Sequence, residues 1–356
     1  MEERKSNFEL LRVLSILLII SYHYVFHGGL EFQGITVNKI INDIFYMFGE
    51  LGVNCFILIS SYFLINGTFK KKKLISLLLE VEFYWVVTNI IRIQVGALDS
   101  NEVKSIFHWI FPVALNRYWF ITAYILLYLL VPYINKFIHT LTKDELKKLI
   151  LVLMFIFSVI PTCLSWIYTY IYFEDFVFFN RWIWMLVMYF VGAYIRLYGI
   201  HLDSLKKSCS AFLLFTTCIL GFILYINFRL YRGIPTQTPS TYFWPPNSVL
   251  MVLWSISLFM IFKYFTIPYI PIINYLAKGT LGVYMLHENA LSVWLWQEVF
   301  QNATHVNSHY FIIHIMIGAV SIFIAGTIID QIRRWIFKIG DFLIQSIKHT
   351  KNTVTK

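Results

Sequence analysis

Ten apolar stretches, each long enough to cross a bilayer, dominate this sequence. They fall near residues 8–27, 41–65, 74–95, 118–138, 149–170, 182–200, 211–228, 247–265, 279–297 and 310–332. A helix needs about twenty predominantly apolar residues to span the hydrocarbon. The ninth stretch is interrupted by His287, Glu288 and Asn289. The expected fold is therefore all-α, a polytopic transmembrane bundle of about ten helices forming one domain over 1–356. Composition excludes a soluble enzyme with a large core. The chain is 58% hydrophobic and 13% charged, whereas soluble domains are roughly 45–50% apolar and about 25% charged. Too little polar surface remains to coat a globule in water.

The basic residues set the expected orientation. The chain carries 29 Lys and Arg against 19 Asp and Glu. They lie in short loops between apolar stretches, so nucleic acid is not an expected partner and topology is the better reading. With the amino terminus and alternate loops in the cytoplasm, that side holds Lys70 to Lys73, Lys143, Lys147 and Lys148 among others. The outer side holds only Lys39, Arg92, Lys104, Arg117, Arg181, Arg229 and Arg232. The bias of roughly three to one puts both termini in the cytoplasm of the cell membrane, with 1–7 a short start and 338–356 a basic tail. The first stretch carries Glu9, Arg12 and His23 and no small-residue cleavage site, so a permanent helix is expected rather than a signal peptide. The two longest outer loops, near 96–117 and 229–246, leave no room for a separate soluble domain. No internal repeat or inverted pair of halves is visible, which weighs against many transporter folds. The four cysteines are scattered without metal-like spacing.

Ionisable residues inside a span are costly and are functional suspects by default. The first stretch has four: Glu9, Arg12, His23 and His27. At about 100° per residue, Arg12 and His23 point within about 20° of one another. Glu9 and His27 fall within roughly 40° of the same stripe. Lipid would not tolerate that face, so it must look into the bundle or a watery cavity. His23 also sits about 16 Å further from the cytoplasm than Arg12. A cation near the cytoplasmic mouth with an imidazole deep toward the outer side suits chemistry across the membrane. The bland alternative is an Arg12 that snorkels to headgroups and a His23 that merely packs.

These residues also carry a resemblance. "NFELLRVLSILLIISYHY" resembles the first helix of the acyltransferase-3 family of bacterial membrane acyltransferases: an acid, an arginine three positions on, and a histidine eleven further. "GELGVNCFILISSYFLI" is similar to the family's second helix, and "FKKKKL" falls where the family has basic residues at the start of the third. "RYWFITAYILLYLLVPYIN" and "GTLGVYMLHENAL" resemble its Trp-Phe fourth helix and its late Tyr-x-x-His helix. The likeness spans nearly the whole chain. It implies transfer of an acyl group, usually acetyl, from cytoplasmic acyl-CoA to a hydroxyl of a cell-surface or secreted polysaccharide. It further implies that His23 is catalytic and that Arg12 with Lys72 or Lys73 holds the donor. The implied partners are acyl-CoA, a glycan acceptor and the bilayer; the oligomeric state is left open. Ser61 stands where the family usually has glycine, so looser packing of that turn is expected. Lysines replace the family's arginines at the third helix, keeping charge for phosphate but losing the bidentate fork. The chemistry agrees with these residue types. A hydroxyl is a poor nucleophile at neutral pH, and a neutral imidazole can take its proton as the thioester is attacked.

Tyr284 and His287 are three residues apart and share a helix face, with Glu288 and Asn289 adjoining. The cluster is too polar for lipid and is expected to bind acceptor or tune the catalytic centre, unless it is a helix–helix hydrogen bond. On the outer side Arg117 with Trp119, and Arg181 with Trp182, set cations beside flat rings. Such surfaces suit a sugar ring, though an aromatic belt gives the same pattern. His305, His309 and His314 have metal-like spacing without a carboxylate or thiolate, and no metal is expected. Glu80 and Glu82 find no role. The expected activity is a membrane O-acyltransferase that hands its acyl group directly to the acceptor. The rivals are a polysaccharide exporter or polymerase, which should show a large outer loop carrying arginines, and a proton-coupled transporter.

Overall fold

The computed structural model describes residues 5–96, 106–167, 180–234, 236–238, 242, 245–289 and 291–354. Lys104 and parts of both long outer loops lie outside them. Among the described residues the chain forms helices and turns and no strand. In order these are α1 (Ser6–His27), α2 (Val37–Leu64), α3 (Lys71–Gln94), α4 (Ile106–Ile110), α5 (Trp119–Thr140) and α6 (Lys143–Met154). A π turn, Phe155–Val159, runs into α7 (Ile160–Ile167). Then come α8 (Arg181–Tyr198), α9 (Leu205–Tyr231), α10 (Val249–Tyr264), α11 (Pro271–Lys278), α12 (Thr280–His287), α13 (Ser292–Trp294) and α14 (Phe311–Val354).

Seven of the ten expected crossings are continuous helices long and apolar enough to span a bilayer: α1, α2, α3, α5, Lys143–Trp166, α9 and the Phe311–Gly340 part of α14. The other three differ. Helix α8 carries an arginine at its start and another near its end, and α10 is only 16 residues long. The ninth stretch is a broken element. After α12 the chain leaves the helix at Glu288 and resumes at Ser292. The break is affordable in apolar surroundings because side chains take over the freed backbone groups. Asn289 Nδ2 donates to the carbonyls of Met285 and Leu286, each at 2.9 Å, and Asn289 Oδ1 accepts from Leu291 N at 2.8 Å. Ser292 Oγ donates to the His287 carbonyl at 2.6 Å. Glu288 is thereby turned out of the helical path.

Helix α1 sits between two apolar clusters and supplies side chains to both. One holds Leu11, Leu51, Leu58, Met188 and Phe259; the other holds Ile16, Ile20, Trp85, Val283 and Trp296. Burial on both flanks makes α1 the centre of the bundle. Its neighbour α2 approaches closely through small residues, as membrane helices do. A Cβ on Gly49 would lie 2.5 Å from the Tyr22 ring, and one on Gly52 would lie 2.6 Å from the Ser15 carbonyl. The outward faces are apolar, with Leu213 66% exposed on α9 and Ile317 58% exposed on α14. Such surface is at home against lipid tails.

Ser61 does not loosen its turn. It is fully buried, and a Cβ added to the facing Gly192 of α8 would come within 1.8 Å of Ser61 Oγ. The small residue needed for close approach is simply on the other helix. Glu80 also finds its role. It pairs with Arg333 at 3.0 Å, while Arg333 and Arg334 both hold Asp330, and Tyr84 donates to Asp330 at 2.7 Å. A Cβ on Gly282 would lie 2.2 Å from the Tyr84 hydroxyl. This network therefore clamps the start of α12 between α3 and α14. Glu82 remains unexplained.

Candidate active site

The stripe on α1 is formed, and its two ends meet different partners. At the amino-terminal end Glu9 is buried and lies 3.6 Å from Arg12 Nε. At the carboxy-terminal end His23 Nε2 is 3.0 Å from Glu288 Oε2, and His27 Nε2 is 3.5 Å from the same oxygen. The broken ninth stretch is what delivers that carboxylate. His287, on the last turn of α12, lies beside His23 with ring centroids 5.0 Å apart. Tyr284 stands one turn earlier, 6.2 Å from the His287 ring and nearly perpendicular to it.

Hydrogen-bond logic assigns the ring nitrogens. A carbonyl only accepts, so His287 Nδ1 carries a proton and donates it to the Val283 carbonyl at 2.6 Å. Its Nε2 is left as a lone pair, buried and without a hydrogen-bond partner among the described residues. A carboxylate likewise only accepts, so Nε2 of His23 is the protonated nitrogen facing Glu288. His23 Nδ1 is then the basic one, and it too is buried without a hydrogen-bond partner among the described residues. The site thus holds two imidazole lone pairs next to one carboxylate. The ligand atoms of His23, His27 and Glu288 lie within 4.8 Å of one another, so these three side chains could also hold a metal ion. His305, His309 and His314 do not gather in that way. His305 and His314 stack at 3.7 Å, with His314 Nδ1 bonded to the Tyr24 hydroxyl at 2.6 Å, and His309 is exposed.

Among the inner residues, Lys72 and Lys73 are exposed at the start of α3. Lys73 Nζ stands 5.1 Å over the Tyr128 ring, whose hydroxyl accepts from Lys70 N at 3.0 Å. The outer pairs are rearranged relative to expectation. Arg117 turns to Trp85 and His108. Trp119 instead has Arg181 over its face at 4.5 Å, so a guanidinium occupies one of the faces expected to receive a sugar. Trp182 packs against the cluster around α2 and α8. Arg181 also reaches Glu50 of α2 at 3.3 Å. Sequence reasoning missed Glu50, although an acid in the middle of the second stretch was the available signal.

Residues 5–339 match the profile of an acyltransferase domain, that of the acyltransferase-3 family. The chain belongs to the acyltransferase-3 family. It is thus a multi-pass membrane acyltransferase. No curated protein and no solved structure is significantly similar to it. Within the matched range lie every residue of the histidine cluster, Arg12 and the lysines at the start of α3. An imidazole lone pair beside a carboxylate is an arrangement that can take up a proton.

Proposed function

We propose that this acyltransferase moves an acyl group, typically acetyl, from cytoplasmic acyl-CoA to a hydroxyl of a cell-surface or secreted polysaccharide. It does so in the cell membrane with both termini in the cytoplasm. The observation that carries the reading is the contact of buried His23 with half-buried Glu288 at 3.0 Å, His23 standing on the helix whose inner end bears Arg12. His23 Nδ1 takes the proton of the acceptor hydroxyl while the hydroxyl oxygen bonds to the thioester carbonyl carbon. The carbon–sulfur bond then breaks, and the departing CoA sulfur receives that proton from the imidazolium. Glu288 stabilises the imidazolium between these steps. His287 and Tyr284 line the reacting space, while Arg12, Lys72 and Lys73 attract the donor phosphates.

The test is label transfer from radioactive acetyl-CoA to glycan by purified protein in proteoliposomes. His23→Ala should lower the rate by about 10²–10⁴-fold, the usual worth of a general base, while the protein still accumulates and binds CoA. A variant that acylates at near-normal rate would remove His23 from the chemistry.

A further inference from the structure

Glu50 is a buried ionisable residue that the mechanism does not use. It lies on α2, 3% exposed, and such a residue inside a membrane span is kept for a purpose. Its Oε1 stands 3.3 Å from Arg181 Nη1. Its Oε2 is buried with no hydrogen-bond partner among the described residues. Next to it, Gly49 lets the Tyr22 ring lie against the α2 backbone, and that ring is 5.1 Å from His23. The charges of Glu50, Glu288 and Arg181 all act on the Tyr22 hydroxyl. Tyr284 lies in the field of both Glu288 and Arg181. Depth agrees: from the inner helix ends, His23 is about 25 Å along α1 and Glu50 about 21 Å along α2. The Glu50–Arg181 pair therefore borders the same space as the His23–Glu288 pair.

We infer that Glu50, held by Arg181, forms the acceptor subsite and selects an uncharged sugar over an anionic one; the inference rests on the function proposed above. A carboxylate only accepts hydrogen bonds, so the free Oε2 suits a sugar hydroxyl and repels a uronate or a phosphate. Arg181 does not reverse this, because its guanidinium already faces Glu50 and the Trp119 ring. Glu50 and Glu288 set two carboxyl groups against the one guanidinium of Arg181, an arrangement that disfavours a further negative charge. The subsite is thus set against anionic acceptors, and the discrimination follows from charge as much as from shape.

Methyl glucoside and methyl glucuronide serve as probes, since they differ only in a hydroxymethyl against a carboxylate group. Transfer of label from acetyl-CoA is measured for the wild type, for Glu50→Gln, and for Glu50→Gln combined with Arg181→Gln. The wild type should prefer the glucoside by about tenfold or more in kcat/KM, as a like charge demands. Glu50→Gln exposes the Arg181 charge and should erase or invert the preference. The double variant should use both probes about equally. CoA affinity, by calorimetry, should be unchanged throughout. Equal use of both probes by the wild type, or an unchanged ratio in Glu50→Gln, would overturn the subsite and leave the acyltransfer reading standing. Loss of CoA affinity in both variants would make the pair structural and overturn the subsite too. No transfer to either probe by a wild-type protein that binds CoA would remove the sugar acceptor, and both readings with it.

Discussion

Replacing Glu288 by glutamine isolates what the carboxylate does for His23. When His23 accepts a proton, an imidazolium forms 3.0 Å from Glu288 Oε2. At an effective dielectric of about 20, unit charges at that separation attract by about 5–6 kcal/mol. Not all of this is at stake. The neutral imidazole already lies against this oxygen, a glutamine carbonyl could take the same place, and the Glu288 side chain is 23% exposed and so partly screened. Taking about 2–3 kcal/mol as the share specific to the charged state gives a loss of roughly 30- to 150-fold in kcat. The assay is the initial rate of label transfer from saturating acetyl-CoA, with CoA affinity measured in parallel. The rate should fall and the affinity should hold. His27→Asn should cost under about tenfold, since His27 reaches the same oxygen from 3.5 Å and is not the base. A Glu288→Gln enzyme within about threefold of wild type would refute the reasoning, because so small a loss leaves under about 1 kcal/mol for the charge. The same experiment separates a proton from a cation at these side chains. Were a metal ion held by His23, His27 and Glu288, chelation would abolish wild-type activity and His27 would matter as much as His23.

Three further outcomes are expected. Arg12→Ala, and Lys72→Ala with Lys73→Ala, should each weaken CoA binding by about 10- to 150-fold, the equivalent of about 1.5–3 kcal/mol for a lost charge-assisted contact; the lysine contribution should shrink as salt rises. Calorimetry showing unchanged affinity would displace the donor site from the cytoplasmic mouth. Cysteines placed at Gly29 and Thr304 should react in intact cells with a membrane-impermeant thiol reagent, and one at Gly67 should not; the reverse pattern would invert the topology. Gly282→Ala should destabilise the protein by about 1–3 kcal/mol, as overpacking does, because the new methyl would meet a Tyr84 hydroxyl pinned by Asp330. An unaltered thermal unfolding profile in detergent would show that this contact relaxes freely.

Much of the fold was legible because spanning a bilayer imposes a length and a composition that few other folds require. The stripe on α1 was legible for a related reason: polar residues at helical spacing inside an apolar run must share a sheltered face. Two kinds of feature were not. The break after His287 depends on Asn289 and Ser292 bonding to particular carbonyls, and a sequence shows the polar residues without showing which backbone groups they satisfy. The pairing of distant charges was hidden as well. Glu80 with Arg333, Glu50 with Arg181, and His23 with Glu288 join helices far apart in sequence. Periodicity fixes the face on which each charge sits and says nothing about which helix comes to lie opposite. Arg181 was singled out with Trp182, its chain neighbour, although its actual partners are Trp119 and Glu50.

The break at Glu288 gains its meaning from how α12 is fixed at both ends. At its amino-terminal end, Gly282 lets the helix settle against Tyr84 and Asp330, inside a network that binds α3 to α14. At its carboxy-terminal end, Asn289 and Ser292 close the last turn. A helix eight residues long would fray in isolation, but one clamped at each end holds Tyr284 and His287 in register with α1. Had the ninth stretch continued as a regular helix, Glu288 would have pointed about 100° away from His287. The two could not then have faced His23 together. The interruption that makes this stretch a poor membrane span is therefore what lets His287 and Glu288 reach the same imidazole, one through its ring and the other through its carboxylate.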